Sequence, residues 1–518
     1  MPDRFELFDL GSIPSRNARR TPDKPAYLTT SRCLTWSEVN TAACRLANAL
    51  ADRGIKSGDH VAILGLADLG WPVAQFAVWK VGAVVMVAHA ALPDDLLGAQ
   101  LEQAEVKAIL VGPEFEERGA KLAEQRPLLE LVISWGPATA PTTVSVASVS
   151  AVASSEELPT VVDPGQSAIL LYSSGTTGTP KGITHSRASL VGGVLFQATA
   201  RKLQSLDVGL VAVPMFTNGG QSTSFVPYSM VGMTSVMMPA FDAESVLDAI
   251  CDHGVTTMFA VPTMTRELLN AYDGRDISSL REILSVGAPM TADLMERLQS
   301  VLPNIEVTEL YGLSEMNGGT VLTHDERDVE RFGSVGRPGV GVDLRLVDDE
   351  GDPVPTGERG EILLRSTAQF SGYYGRPDLT AEAVTRDGWL RTGDIGVLDG
   401  EGFLFVVDRK KDMVISGGMN VYPKEVEDVL YLLPGVSECA VFGVPDDKWG
   451  EALCAVVVLS EAATLDDVAI IEHCRSKLAK FQVPKLVHLE PSLPKTATGK
   501  YDKQALRTPY WKGAGRII

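Results

Sequence analysis

Paired cysteines are missing from this sequence. Its six cysteines, at positions 33, 44, 251, 439, 454 and 474, form no C-x-x-C pair and no dense spacing. That pattern argues against a disulfide framework and for the reduced thiols of a cytoplasmic protein. Histidine is also scarce: seven residues without metal-ligand spacing make a zinc site an unpromising expectation. Basic residues are outnumbered 46 to 66, and the net charge of −20 speaks against a nucleic-acid partner or attachment to anionic lipid. The longest apolar region, Val61 to Leu92, is broken by Asp68 and Lys80, so no integral membrane association is expected. Asp3, Arg4 and Glu6 precede any apolar run, so no signal peptide is expected either. What remains is an ordinary globular balance, 45% hydrophobic and 22% charged. Its 518 residues exceed a single core and imply at least two domains.

Two segments, Leu34 to about Val111 and Ser167 to about Pro303, alternate helix-like patterns with short apolar strands, the rhythm of parallel α/β structure. Trp36-Ser37-Glu38 opens a helix for which Ser37 is the expected cap; Val61–Leu64 and Ala83–Val87 are expected strands. Between Arg331 and Asp408, short strands separated by Gly, Pro and Asp turns predict a small antiparallel or barrel-like β subdomain. After the basic run Arg409-Lys410-Lys411 comes a further α/β unit of roughly a hundred residues, a common domain size.

The densest chemical signal is Tyr172-Ser173-Ser174-Gly175-Thr176-Thr177-Gly178-Thr179-Pro180-Lys181-Gly182. Glycines let backbone N–H groups approach a ligand, hydroxyls add hydrogen bonds, and Lys181 adds a compact positive charge: a polyphosphate cradle. It is not a Walker A loop, because no Gly precedes Lys181 directly and no Ser or Thr follows it. Ile169-Leu170-Leu171 before it reads as a buried strand, whose C-terminal end is where α/β proteins place ligands. Further segments stand out along the chain. Gly287-Ala288-Pro289 ends a strand after Val286, and Tyr311-Gly312-Leu313-Ser314-Glu315 combines an aromatic for stacking, a hydroxyl and a carboxylate able to hold Mg²⁺. Asp394 closes Trp389-Leu390-Arg391-Thr392-Gly393-Asp394, and a carboxylate there is a strong acceptor for paired hydroxyls. Near the C-terminus stands Pro494-Lys495-Thr496-Ala497-Thr498-Gly499-Lys500.

These motifs, in this order and over nearly the whole length, resemble those of the acyl-adenylate-forming superfamily: acyl-CoA synthetases, adenylation domains and beetle luciferases. The resemblance implies an α/β fold with a large N-terminal domain of stacked subdomains (1–408), a hinge (409–411) and a small mobile C-terminal domain (412–518). It implies ATP, Mg²⁺ and CoA as cofactors and substrates, with no zinc, flavin or nicotinamide. By resemblance, Ser173, Ser174, Gly175, Thr176, Thr177, Gly178, Thr179 and Lys181 cradle the phosphates. Tyr311, with Gly312, stacks on adenine, Gly287, Ala288 and Pro289 line its pocket, Ser314 lies near the α-phosphate, and Glu315 contacts the metal. Asp394 and Arg409 hold the ribose, Lys411 is the pivot, Gly417 and Gly418 pass pantetheine, and Lys500 is the catalytic lysine.

The sequence departs from the family at Phe216-Thr217-Asn218-Gly219-Gly220, where His is common after the aromatic. Thr217 removes an imidazole from the expected acyl pocket, Asn218 offers an amide, and Val286 narrows the pocket where Gly is frequent. The expected reaction is therefore ligation of a compact aromatic or short-to-medium-chain carboxylic acid to CoA through acyl-AMP. Loading of a carrier protein's phosphopantetheine is the alternative within the superfamily, and a non-catalytic nucleotide-binding protein the alternative outside it. Oligomeric state stays open, a homodimer included.

Overall fold

The computed structural model describes residues 8–173, 181–287, 290–323, 326, 331, 333–416, 418–446, 448–460, 463–495 and 501–511. The chain divides into two compact units, Met1–Leu344 with Leu364–Leu390, and Arg345–Leu363 with Arg391–Ile518.

The first unit is built on two sheets. One runs in the order Gly372–Tyr373, Lys181–Ser186, Ser167–Ser173, Val84–Val87, His60–Leu64, Ala108–Val111, Leu131–Ser134, Thr143–Ser145. From Ser167–Ser173 onward its strands are parallel, and Lys181–Ser186 folds back antiparallel on Ser167–Ser173. The other sheet contains the parallel series Pro25–Leu28, Thr234–Met237, Val208–Val211, Thr257–Ala260, Glu282–Val286 and Glu306–Leu313. Antiparallel Met316–Leu322 then extends it. These strands are short Val-, Ile- and Leu-rich runs with almost every residue buried, as parallel strands covered on both faces must be. One apolar cluster holds side chains from both sheets, among them Ile63 and Val85 from the first and Tyr27 and Val211 from the second. The helix Gly70–Val81 is buried nearly all round and places Trp71, Phe76 and Trp79 in that cluster.

The helix Trp36–Asp52 is capped by Thr35, not by Ser37. The Thr35 hydroxyl accepts the N–H of Glu38 while the Glu38 carboxylate accepts the N–H of Thr35. This reciprocal box satisfies two otherwise orphaned donors, which Ser37, already inside the first turn, does not.

The expected β subdomain, most of it in the second unit, is an open sheet, with no closed barrel among the described residues. Its order is Val342–Val347, Arg359–Ser366, Leu390–Leu398, Leu404–Arg409. A further sheet pairs Val436–Asp446 with Gly450–Leu459 in one long antiparallel ladder, covered by helices Pro423–Tyr431 and Asp467–Lys477.

Candidate active site

The strand Ser167–Ser173 and the strand Lys181–Ser186 are paired up to Ser173 opposite Lys181, so the glycine-rich loop is anchored at both ends at the C-terminal edge of a parallel sheet. Residues Ser174, Gly175, Thr176, Thr177, Gly178 and Thr179 lie outside the described residues, as does the side chain of Ser173. Lys181 is described: its Nζ lies 5.0 Å from the centroid of the Tyr373 ring. The Tyr373 hydroxyl in turn donates to Oε1 of Glu315 at 2.8 Å. Burial, with the negative charge of Glu315 second, raises the Tyr373 phenol far above its usual range, so it stays a donor.

Tyr373 was not foreseen from sequence. It reaches this point because Gly372–Tyr373 is an edge strand on Lys181–Ser186, with Tyr373 opposite Ile183. The N–H of Tyr374 donating to the Gly182 carbonyl at 2.7 Å fixes that register. A Gly-Tyr-Tyr-Gly turn is the one local hint, and it does not name a partner.

Ser314 and Glu315 form the turn that joins Glu306–Leu313 to Met316–Leu322, with Leu313 opposite Met316. The turn is held from outside by His185, whose Nε2 lies 2.8 Å from the Ser314 carbonyl. The His185 Nδ1 lies 3.1 Å from the Asn317 amide nitrogen. Full burial pushes the imidazole pKa down to about 4. It is therefore neutral, with Nε2–H donating to Ser314 and Nδ1 accepting from Asn317. His185 too was missed from sequence. The Phe370 N–H donates to the Glu315 carbonyl at 2.8 Å, so the carboxylate is carried by a turn pinned on both sides.

Next along the sheet edge, Val286 pairs with Leu310, which brings Gly287 level with Tyr311 and Gly312. Gly287 has φ of 95°, a left-handed conformation that glycine adopts without steric cost. Ala288 and Pro289 lie outside the described residues; after them, the Met290 N–H donates to Oε1 of Glu309 at 2.5 Å.

The Glu315 carboxylate is a hard oxygen donor, but among the described residues no group of three His, Cys, Asp or Glu side chains gathers to hold a metal. A single carboxylate oxygen donor is of the kind Mg²⁺ accepts alongside water and phosphate oxygens.

The expected acid-binding segment follows the strand Val208–Val211. The Thr217 hydroxyl donates to the Pro214 carbonyl at 2.7 Å and accepts the Gly220 N–H at 3.1 Å. Oδ1 of Asn218 accepts the Ser222 hydroxyl at 2.8 Å. Both polar groups are thus turned back on their own chain, into the π-helical turn Gly219–Phe225. A buried relay from Trp71 Nε1 to Gln75, from Gln75 to Gln221 and from Gln221 to the Met215 carbonyl supports this turn from below. A Cβ on Gly219 would sit 3.4 Å from the Phe259 ring, whereas one on Gly220 would sit 2.5 Å from the Pro214 oxygen. Gly219 therefore faces a neighbour at ordinary contact, and Gly220 marks a backbone approach that no side chain tolerates. The absence of an imidazole expected here is corrected by the fold. His89, distant in sequence, stacks on Phe216 with ring centroids 4.0 Å apart and planes 29° apart.

The remaining expected residues belong to the second unit. Asp394 pairs with Arg409 across adjacent strands, and their side chains form an ion pair at 3.2 Å, Asp394 buried. Lys410 is paired with Asp349 at 2.8 Å and Glu361 at 3.4 Å, so part of the basic run is already neutralised. Asp408, which sequence reading passed over, accepts the N–H of Arg409 at 2.6 Å and of Lys424 at 2.7 Å. Lys411 follows in the single 3-10 turn Lys410–Asp412. Gly418 has φ of 82° with open space around it; Gly417 and Lys500 lie outside the described residues. The chain on either side of Lys500 is tied by a bridge of Lys495 to Tyr501 and by the Asp502 N–H donating to Pro494 at 2.8 Å.

Comparison with known proteins matches residues 14–374 to the family described as AMP-binding enzyme and residues 425–500 to the AMP-binding enzyme C-terminal domain. A feruloyl-CoA synthase from Amycolatopsis sp is 36% identical over 500 residues, 96% of this chain and 98% of that protein. The fatty acid–[acyl-carrier-protein] ligase ScoC from Streptomyces coeruleorubidus is 31% identical over 523 residues, 99% of this chain and 98% of that one. Among solved structures, ATP-bound MatB from Rhodopseudomonas palustris superposes with a TM-score of 0.88 at 29% identity, covering 98% of this chain and all of the other.

Proposed function

This chain belongs to the AMP-binding enzyme family, and from that premise we propose that it is an AMP-forming carboxylic acid–CoA ligase. The acid's carboxylate attacks the α-phosphate of ATP, releasing pyrophosphate and leaving acyl-AMP. The CoA thiol then displaces AMP to give a thioester. The mixed anhydride makes a poor electrophile reactive by splitting one difficult step into two.

The observation that carries this reading is the Lys181–Tyr373–Glu315 line at the mouth of the glycine-rich loop. A cation and a carboxylate held by the Tyr373 hydroxyl, grouped at the strand end that leads into the glycine-rich segment, support a role in binding a polyphosphate with its magnesium, with Ser173 to Thr179 supplying hydroxyl and backbone donors. Mg²⁺, held through Glu315, would neutralise phosphate charge as pyrophosphate departs. Tyr311 and the turn Gly287-Ala288-Pro289 take the adenine, and Asp394 with Arg409 takes the ribose hydroxyls. Lys500, on a C-terminal domain that turns about Lys411, bridges carboxylate and α-phosphate; after the turn, Gly417 and Gly418 admit pantetheine.

For the acid, the His89–Phe216 stack and the Phe259 ring beside Gly219 favour a compact aromatic, and similarity to a feruloyl-CoA synthase supports this choice. Similarity to ScoC keeps a carrier-protein thiol as the second reading for the acceptor. Six free thiols and no disulfide suit a reducing cytoplasm. The deciding assay measures AMP and pyrophosphate released from ATP with a panel of aromatic and aliphatic acids, with CoA, with a carrier protein, and with neither. Acid-independent or absent AMP release overturns the ligase reading.

A further inference from the structure

Two residues beyond the strand Val84–Val87, His89 stands at the C-terminal edge of one sheet. Phe216, on which it stacks, follows a strand of the other sheet. The strand Val84–Val87 pairs with Ser167–Ser173, Val85 opposite Ile169 and Met86 opposite Leu170, so His89 follows the strand next to the one that leads into the phosphate loop. The contact thus joins segments that follow the C-terminal ends of a strand from each sheet, where α/β proteins place ligands.

Nδ1 of the His89 ring finds no hydrogen-bonding partner on another described residue. Nδ1 is covered and unpaired, while the residue as a whole is only half-buried. Burial lowers the imidazole pKa from its ordinary value, so near neutral pH the ring is uncharged and offers one donor and one acceptor. Of the neighbouring polar atoms, the Thr217 hydroxyl and the Asn218 carbonyl oxygen are bonded within their own turn. Aromatic carbon supplies the rest of the wall, from Phe216 and from Phe259 beside Gly219.

We infer that His89 is a specificity-determining residue whose Nε2 edge hydrogen-bonds a ring hydroxyl of an aromatic carboxylic acid. The argument rests on the ligase reading and deepens it. A hydroxyl both donates and accepts, so it satisfies either neutral tautomer of His89. A ring hydrogen or methyl group at the same place satisfies neither and leaves a desolvated nitrogen without a partner. A site built to bond a hydroxyl rejects the analogue lacking it far more strongly than an apolar pocket rejects a size difference.

The test compares kcat/KM for AMP formation from 4-hydroxycinnamate, cinnamate and octanoate in the wild type, His89→Phe and His89→Asn. The wild type should favour the hydroxylated acid over cinnamate by about tenfold or more, the scale of one net hydrogen bond. His89→Phe, which keeps an aromatic face on Phe216, should shrink that ratio to within about twofold, mainly by raising KM for 4-hydroxycinnamate. His89→Asn, which keeps an amide donor and acceptor, should recover part of the ratio. Equal loss on both cinnamates in both variants means His89 only packs, and overturns the proposal. So does a wild type indifferent to the hydroxyl, although AMP formation from cinnamate would leave the ligase reading standing. No AMP from any of the three acids in the wild type overturns this assignment together with the aromatic reading of the acid.

Discussion

Tyr373 has two separable contacts: its ring faces the Lys181 ammonium and its hydroxyl holds the Glu315 carboxylate. Tyr373→Phe keeps the first and removes the second. Hydrogen bonds to charged groups contribute about 1.5–3 kcal/mol, so adenylation kcat/KM should fall about tenfold or more while the melting temperature moves little. Unchanged pyrophosphate release at limiting Mg²⁺ would show that Glu315 needs no such restraint. His185 gives a pH prediction with a definite sign. Its folded pKa, about 4, lies below the ordinary 6.5, so below pH 6.5 the unfolded chain binds the proton more readily. The stability from neutral His185 is complete above pH 6.5, declines as pH falls, and is gone below about 4. The full swing is on the order of 3 kcal/mol. Urea denaturation at pH 7 and pH 4.5 should show that loss, and His185→Asn should show a smaller pH-dependent part.

At the scale of elements, the site is a row of strand ends, and its shape depends on which residues leave those ends without a side chain. Gly219 is the informative case, because a Cβ there meets Phe259 at ordinary contact distance. Gly219→Leu should fold and fill the space before Phe259. Activity on the largest accepted acids should then fall more than on the smallest, a graded effect of about 1–3 kcal/mol per methylene-sized difference. An equal fall across acid sizes would place the acid elsewhere. The turn Ser314–Glu315 is held from outside itself: His185 and the Phe370 N–H bond its two carbonyls, which leaves the side chains of both residues for chemistry.

For the whole molecule, the question is how one centre serves two reactions. If Lys500 acts only in adenylation, Lys500→Ala should abolish acyl-AMP formation from acid and ATP yet still convert supplied acyl-AMP to thioester. Equal loss of both steps would remove Lys500 from a single conformation. Lys411→Pro fixes φ at the proposed pivot and deletes a backbone donor. That variant should go on releasing pyrophosphate while thioester formation drops sharply; normal CoA ligation by it would move the pivot elsewhere. Asp408, already accepting two backbone N–H groups beside this point, offers a fixed anchor next to the turn that is proposed to change.

From the order of residues alone, the α/β alternation, the family and the ligase chemistry could be read. Each depends on local requirements: apolar runs for buried strands, glycines and hydroxyls for a phosphate cradle, a carboxylate after an aromatic. Strand limits came close, since Val61–Leu64 lies within His60–Leu64 and Ala83–Val87 nearly coincides with Val84–Val87. The cap of the helix Trp36–Asp52 was misplaced at Ser37 because two hydroxyls, one on either side of Trp36, compete, and only the backbone geometry shows Thr35 outside the helix. Tyr373 on Glu315, His185 on Ser314 and His89 on Phe216 were invisible for a different reason. Their partners lie 58, 129 and more than a hundred residues away, and no local pattern encodes such a meeting. Those contacts exist because strand pairing and the packing of two sheets bring distant strand ends to one edge, and so the tertiary structure alone decided which side chains restrain the chemistry the motifs announce.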